Sequence, residues 1–474
     1  MQNPSSTVKP TFLWHDYETW GIHPARDRPA QFAAIRTDMD LNIIGQPIEL
    51  YCRLPSDYLP DPNAMLITGI PPQRANTLGV CEAEFIQTIH ESMSQPNTCS
   101  VGYNSIRFDD EVTRHTLYRN FFDAYAREWQ HGCSRWDLID LVRSCYALRP
   151  EGIVWPTDAD GQPTFRLEKI TEANGIEHSN AHDALADVQA TLALARLIKQ
   201  AQPRLFDYYF NLRLKKNVKP LLNTDQLKPM IHVSGFYGHA RHCTSVIAPL
   251  MVHPHKPNTV VCVDLNQDIQ PLFDEKAATL KERLYQSRRQ LGDTPPVPLT
   301  QVAINQCPMI APLSLLDDTI QSRLQWDIDV IKERLAQLQA APHLLSTLNE
   351  ILQPQATKDS SDMHPDLMLY RGSFFNEHDK QLMATIRTTP PEQLCHMTFA
   401  FHDPRLSKML FYYKGRNYPH LLAEHELQQW QEYCQNQLQA ESYLVTIENL
   451  VYEHEQDSFK LSLIRQLIEY LHTI

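Results

Sequence analysis

The apolar and polar positions of this chain change period several times along its length. Phe12, Leu13 and Trp14 form the apolar part of "FLWHDYETWG", which reads as a buried strand running into two carboxylates, Asp16 and Glu18. "AQFAAIRTD" (30–38) and "IIGQPIELYCRL" (43–54) read as two further strands joined by the polar turn "MDLN". "CEAEFIQTIHESM" (81–93) has helical periodicity, and "TCSVGYN" (98–104) is a short strand candidate. "FDDEVTRHTLYRNFF" (108–122) reads as a helix opening on acids, which suit a helix N-terminus. "SRWDLIDLVRSCYAL" (134–148) reads as an amphipathic helix throughout, and "AHDALADVQATLALARLIKQ" (181–200) is the clearest helix in the protein. "AQPRLF" (201–206) reads as a linker closing an α/β region.

Beyond it the pattern shifts. "MIHVSGFYGHARHCTSVIAPLMVHP" (230–254) and "NTVVCVDLNQD" (258–268) alternate apolar and polar residues, which predicts a small antiparallel β domain. Helices dominate from "LQWDIDVIKERLAQLQ" (324–339) onward. "LQPQATKDSSDMHPD" (352–366) reads as a second linker, and "HLLAEHELQQWQEYCQNQLQ" (420–439) and "DSFKLSLIRQLIEYLHTI" (457–474) as helices of a terminal bundle. The expected segments are 1–201, 202–352 and 353–474, in keeping with 474 residues at roughly 150 per domain.

Composition changes this picture little. Hydrophobic residues at 42% and charged residues at 21% can build several cores. The start "MQNPSSTVKP" has no apolar signal core, and no apolar run approaches a membrane span. Ten scattered cysteines without a C-x-x-C pair argue for a reduced, cytoplasmic protein without structural zinc. "GHARHC" (238–243) has no specific metal-ligand spacing and reads as a solvated loop. The net charge of −13 speaks against broad nonspecific nucleic-acid binding, yet "NLRLKKNVKP" (211–220) holds four cations and no acid. It is either a solvated run or a phosphate-tracking patch.

The carboxylates carry the chemistry. Asp16 and Glu18 share one face of a strand, about 7 Å apart by the rise per residue. Like charges so placed repel unless a cation lies between them. Asp109 and Asp110 follow a strand and loop, His182 precedes the strongest helix, and Asp187 falls in its first turns. Singly, each has an ordinary explanation as a cap or a solvated group. Jointly, D-x-E-T, N-x3-F-D and H-x4-D place four acids on different elements of one α/β domain. Two-metal phosphoryl transfer needs such a set: two divalent ions about 4 Å apart, held by carboxylates and water, with a base for the attacking water. A histidine titrates in the range this base requires. Asp16, Glu18 and Asp187 then hold the ions, Asp109 assists, and His182 is the base. Asp110 rivals Asp109, which is preferred because it directly follows Phe108 in the motif.

These motifs resemble the DEDDh 3′→5′ exonucleases, and the H-x4-D spacing resembles that family's histidine branch. "HDYETWGIHPARDRPAQFAAIRTD", "LITGI", "GYNSIRFDDEVTR", "SRWDLIDL", "YALRPEGI", "FRLEKITEANGIEHSNAHDALADV", "PRLFDYYF" and "HVSG" further resemble bacterial exonuclease I. The likeness is dense over the first 240 residues or so and thins beyond them. It implies an α/β RNase H-like exonuclease domain, a small SH3-like β domain and a C-terminal α-helical domain. It implies Mg²⁺, two ions per site with Mn²⁺ as a possible substitute, and a single-strand-specific 3′→5′ exodeoxyribonuclease releasing 5′-mononucleotides in DNA repair and recombination. Carried over by motif position, Glu18 and Arg166 would bind the substrate terminus. Arg114, Tyr125, Trp129, Arg143, His182, Tyr208 and Lys215 would line a single strand, the cations on phosphates and the aromatics on bases. A buried structural role competes for the aromatics, Trp129 above all. Arg149 would meet the acidic C-terminal tail of the single-stranded DNA-binding protein. A monomer is the expected state. An exoribonuclease of the same superfamily, or a silent single-strand-binding protein, are the competing readings.

Overall fold

A computed structural model describes residues 8–178, 182–354, 363–438 and 440–473. The chain divides into two compact units, one of Met1–Ser134, His178–Leu192 and Asp359–Ile474, the other of Arg135–Glu177 and Ala193–Lys358.

In the first unit, β1 (Thr11–Thr19) pairs antiparallel with β2 (Pro29–Thr37), which pairs antiparallel with β3 (Ile48–Tyr51). On its other side β1 runs parallel to β4 (Thr98–Gly102). β1 is buried along almost its whole length, as befits a central strand covered on both faces. Leu13 and Tyr17 point to one face and pack with Phe32, Phe85, Ile86, Ile89 and Leu117. Alternation sends Asp16 and Glu18 to the opposite face.

The C-terminal helices belong to this same unit. Helices Ala440–Glu453 and Ser458–Leu471 seat Ile447, Leu450, Leu463, Ile464 and Leu467 against Trp20, Met65 and Ile70. Helices Glu377–Thr388 and Pro404–Asn417 seat Met383, Ile386, Leu406 and Met409 against Cys81, Tyr118 and Phe121. A buried charge network crosses between the early and late segments. Arg119 holds Glu82 through two hydrogen bonds of 2.8 Å. Arg416 reaches Asp57 at 2.8 Å and Asp366 at 2.5 Å. Arg28 lies 3.9 Å from both Glu82 and Asp366.

The second unit contains the antiparallel sheet β10-β6-β7-β8-β9, built from β6 (Met230–Val233), β7 (Thr244–Val252), β8 (Thr259–Asp264), β9 (Leu299–Ala303) and β10 (Met309–Pro312). Helix Pro203–Leu212 anchors to it through Tyr208, whose hydroxyl donates to the Ile310 carbonyl at 2.7 Å, and Tyr209, which donates to Cys307 at 2.8 Å.

Three sequence expectations need correction. "SRWD" is a strand, β5 (Ser134–Asp137), and the helix is confined to Ile139–Leu148. All four residues Ser134–Asp137 are buried, which a one-faced helix would not allow. "AQPRLF" is not a linker: helix Ala184–Ala201 is followed after Gln202 by helix Pro203–Leu212, with Pro203 at a first-turn position that tolerates its missing N–H. "GHARHC" is not wholly solvated, since Arg241 makes a two-pronged contact with buried Asp264 at 2.8 and 2.9 Å. The second linker falls largely on residues 355–362, outside the described residues. All ten cysteines are buried, and none forms a disulfide.

The buried network sets an acid limit. Burial alone would raise the Glu82 pKa, but Arg119 and Arg28 outweigh it and bring it from 4.5 down to about 2. A carboxyl with its folded pKa below the unfolded one stabilises the fold fully above about pH 4.5 and loses that contribution as pH falls toward about 2. The shift corresponds to about 3 kcal/mol. Urea unfolding across pH 6 to 3 is expected to show Glu82→Gln with a shallower acid dependence than wild type. At neutral pH the variant should be about 3–5 kcal/mol less stable, because Arg119 is left buried without its charge partner.

Candidate active site

The site assembles at the end of β1. Glu18 lies opposite Gln31 of β2, just before an irregularity between Glu18 and Thr19. Gln31 ties this strand end to helix Ala184–Ala201. Its side-chain nitrogen donates to Asp183 at 3.1 Å, and its side-chain oxygen accepts from the Ala184 N–H at 3.4 Å. Asp183 also accepts from the Ala186 N–H at 3.3 Å, closing the first turn of the helix. Asp187 follows one turn in, so a polar contact behind Glu18 sets where Asp187 stands.

Asp109 opens helix Asp109–Arg119, and its Oδ1 accepts the Tyr17 backbone N–H at 3.2 Å. Asp110 is directed elsewhere, to Arg127 at 2.6 Å, with both side chains almost fully buried. The two neighbours therefore have different work: Asp109 shares the electrostatic environment of Asp16 and Glu18, while Asp110 is neutralised by an internal arginine.

Donor atoms of Glu18, His182 and Asp187 all lie within 4.8 Å of one another. His182 is exposed and holds a left-handed backbone (φ 69°), an unfavourable conformation for a non-glycine residue and one that clusters at functional sites. Residues 179–181 before it lie outside the described residues. His178 donates through Nε2 to Asp187 Oδ1 at 2.5 Å, with its side chain nearly buried.

Negative charge is concentrated here. Burial pushes the Asp16 carboxyl well above its ordinary value, and Asp109, Glu18 and Asp187 push it further. Burial, then Asp187, Asp109 and Asp183, raise Glu18 to about 8. Burial also raises Asp187, with His178 and His182 pulling the other way. Four acids that resist ionising together, beside an imidazole, fit a hard divalent cation: oxygen ligands, high charge demand, and repulsion that the ion relieves.

A cavity of about 720 Å³ lies in the same unit, lined among others by Tyr125, Trp129, Tyr370, Phe374 and Arg387. Trp129 is 65% exposed and Phe374 91% exposed, so neither is a core residue. Tyr370 and Phe374 were not legible as site candidates in the sequence, because only the fold brings residues of the late segment beside residues 118–129. Gln31, Asp183 and His178 were missed as well. Only His178 left a signal, as the first histidine of "EHSNAHDALAD".

Arg114 is not free. Its Nε and Nη2 bind Glu128 at 2.6 and 2.8 Å, its Nη1 binds Glu111 at 2.6 Å, and its guanidinium packs on the Tyr125 ring at 5.3 Å. The remaining candidates lie in the second unit. Arg143 binds Asp140 at 2.6 Å and passes so close to Gly235 that a Cβ there would stand 2.9 Å from its Cζ. Arg149 donates to the Leu148 and Leu315 carbonyls at 2.6 and 3.4 Å. Lys215 meets Asn258, and Arg166 is exposed just before helix Leu167–Ala173.

Family models match in three blocks: "Exonuclease" over residues 13–195, "Exonuclease I SH3-like domain" over 213–354 and "Exonuclease I C-terminal domain" over 363–474. The chain is 47% identical to exodeoxyribonuclease I of Escherichia coli strain K12, over 98% of each chain. Its fold is similar to E. coli exonuclease I in complex with a dA16 oligonucleotide, with a TM-score of 0.95 and 46% identity over 98% of this chain and 100% of that one. It is similar also to the zinc-ion-bound form of the E. coli enzyme with single-stranded DNA (TM-score 0.94, 46% identity, 98% and 99% of the two chains). A structure of SSB/exonuclease I with an inhibitor gives a TM-score of 0.90 at 45% identity, again over 98% and 99%. The catalytic-type carboxylates, the three matched blocks and this full-length similarity agree: the chain belongs to the exodeoxyribonuclease I family.

Proposed function

We propose that this protein is a single-strand-specific 3′→5′ exodeoxyribonuclease that releases 5′-mononucleotides, with two divalent ions, Mg²⁺ in the cell, and a histidine general base. The observation that carries this reading is the meeting of Glu18, Asp187 and His182 donor atoms within 4.8 Å of one another, with Asp16 and Asp109 electrostatically coupled to Glu18. Asp16, Glu18 and Asp187 are the ion-holding residues, with Asp109 assisting from the helix start. When bound, the ions supply charge stabilisation to the phosphate and lower the pKa of the attacking water. His182, exposed at the mouth of the group, accepts that water's proton on a ring nitrogen. His178 fixes one oxygen of Asp187, which leaves the other to face the site. Glu18 and Arg166 bind the terminal nucleotide. Tyr125 and Trp129 stack bases along the strand, Tyr370 and Phe374 extend that surface, and Arg143, Tyr208 and Lys215 guide the backbone.

Support for DNA over RNA comes from the DNA complexes of the similar enzymes. We assign the enzyme to DNA repair and recombination as a monomer in the cytoplasm. Its recruitment by the acidic tail of a single-stranded DNA-binding protein would run through Arg149. Among the described residues no helix is long and apolar enough to cross a membrane. Strands of DNA and RNA labelled at either end, with Mg²⁺ and with chelator, test the reading. Mononucleotide release from 3′-labelled DNA at the earliest times is expected, abolished by chelator. Equal cleavage of RNA would move the enzyme to the exoribonucleases.

Asp16→Asn is expected to abolish hydrolysis while leaving the fold at least as stable. A carboxyl whose folded pKa is raised stabilises the folded chain only below its unfolded pKa, and loses that advantage as pH rises toward the folded value. For Glu18 that window runs from about 4.5 to about 8. The metal-free protein should therefore melt lower at pH 8 than at pH 5, and Mg²⁺ should raise the melting temperature more at pH 8. Asp16→Asn should flatten both trends; an unchanged Mg²⁺ shift in this variant would remove Asp16 from the ion site.

His182→Ala is expected to lose about 10²–10⁴-fold in rate, the usual contribution of a general base, while keeping its affinity for single strands. Single-turnover rates beside anisotropy titrations separate the two quantities. Wild-type rates in the variant would assign the proton to another group.

A further inference from the structure

Arg114 combines three features: a position beside the aromatic cavity, a guanidinium almost out of solvent, and two carboxylates holding it. Glu128 meets it with both oxygens, Oε1 at 2.6 Å and Oε2 at 2.8 Å. Glu111 adds a third contact at 2.6 Å and is itself bound by the Tyr370 hydroxyl at 2.6 Å, while Tyr370 also accepts from Arg114 at 3.1 Å. The guanidinium fork pairs with a carboxylate and with a phosphate in the same bidentate way. Arg114, Glu111 and Glu128 together carry one negative charge, next to Tyr125 and Trp129 on the cavity wall. A strand passing there meets rings it can stack on and an arginine whose fork is already filled.

We propose that Glu128 is an internal competitor for backbone phosphate at Arg114, setting how tightly the enzyme holds a single strand near Trp129. This rests on the reading that single-stranded DNA runs along the cavity. In the free protein the carboxylate fills the fork. In the complex a phosphate oxygen pair replaces it, and Glu128 swings to solvent, where 11% of its side chain already lies. Glu111 and Tyr370 stay on Arg114 and keep it placed during the exchange. The arrangement weakens every register of the strand alike, since phosphates carry no sequence. That suits an enzyme that must release and re-grip its substrate at each nucleotide.

The test uses the full-length protein, a fluorescein-labelled oligo-dT strand and EDTA, with anisotropy titrations at several salt concentrations. Glu128→Gln is expected to bind several-fold more tightly than wild type. Its plot of log affinity against log salt should keep the wild-type slope, because a phosphate meets Arg114 in both complexes and only the cost of displacing Glu128 is removed. Arg114→Gln should cost little in the wild-type background and much more in the Glu128→Gln background. If Glu128→Gln folds poorly by circular dichroism, Glu128→Asp, too short to keep both contacts, should shift affinity in the same direction. Trp129→Ala separates this idea from its parent. If Trp129→Ala weakens binding but Glu128→Gln has wild-type affinity, the competitor is disproved alone. If Trp129→Ala binds as wild type, the strand does not run along this cavity and both readings fall.

Discussion

Ionised carboxylates gathered in a buried pocket repel one another, and the first unit is organised around holding that arrangement. Two unit charges about 4 Å apart interact by about 4 kcal/mol at an effective dielectric of 20. Asp16 and Glu18 cannot separate, because β1 is paired on both sides and their shared face follows from the pleat. Asp109 cannot withdraw, because the Tyr17 N–H holds it and its neighbour Asp110 is pinned by Arg127. Asp187 cannot rotate away, because Gln31 and Asp183 fix the helix start and His178 holds one oxygen. The backbone geometry thus stores a demand for positive charge that water alone does not meet.

The charge network on the other side of this unit is its counterpart. Arg28, Arg119 and Arg416 face Glu82, Asp57 and Asp366, three cations against three anions, and there the arginines outweigh burial and lower the Glu82 and Asp366 pKa values. The difference is function. A balanced network holds segments together, whereas an unbalanced one waits for a ligand. Because Asp366 and Arg416 come from the late helical segment, that segment completes the charge balance of the nuclease sheet. It also covers Trp20 and Met65. A chain ending near residue 200 would leave Arg28 and Glu82 short of partners and this core open, so it would not isolate the chemistry from the later segments.

The placement of the acids was legible in the sequence because each acid is tied to its own motif and to a local element whose period is readable. Alternation put Asp16 and Glu18 on one face, and the apolar stripe of residues 184–201 put Asp187 in a first turn. Boundaries were harder. "SRWD" looked helical because it leads directly into a true amphipathic helix, and only the burial of four consecutive residues distinguishes the strand. "AQPRLF" looked like a linker because proline marks a break, although a proline at the first turn starts a helix as readily as it ends one. Gln31, His178, Tyr370 and Phe374 were illegible for a different reason. Their roles arise from contacts between distant segments, and nothing in their immediate sequence separates them from ordinary polar or core residues.

Charge was the least legible property of all. A basic residue in a nucleic-acid-binding motif suggests a free cation, yet Arg114 is held by two glutamates and Arg143 by Asp140. On a chain with a net charge of −13, most cations near acids will be engaged in this way. Under the proposed reading, the free protein offers a strand along the cavity aromatic surface first, at exposed Trp129 and Phe374, and Arg114 only after exchange of partners. Stacking does not depend on base identity and is weakly screened by salt, whereas ion exchange at an arginine is reversible at every step. A strand that is gripped by rings and steered by exchangeable charges can advance by one nucleotide without the enzyme breaking all its contacts at once, which is the mechanical requirement of an exonuclease that stays on its substrate.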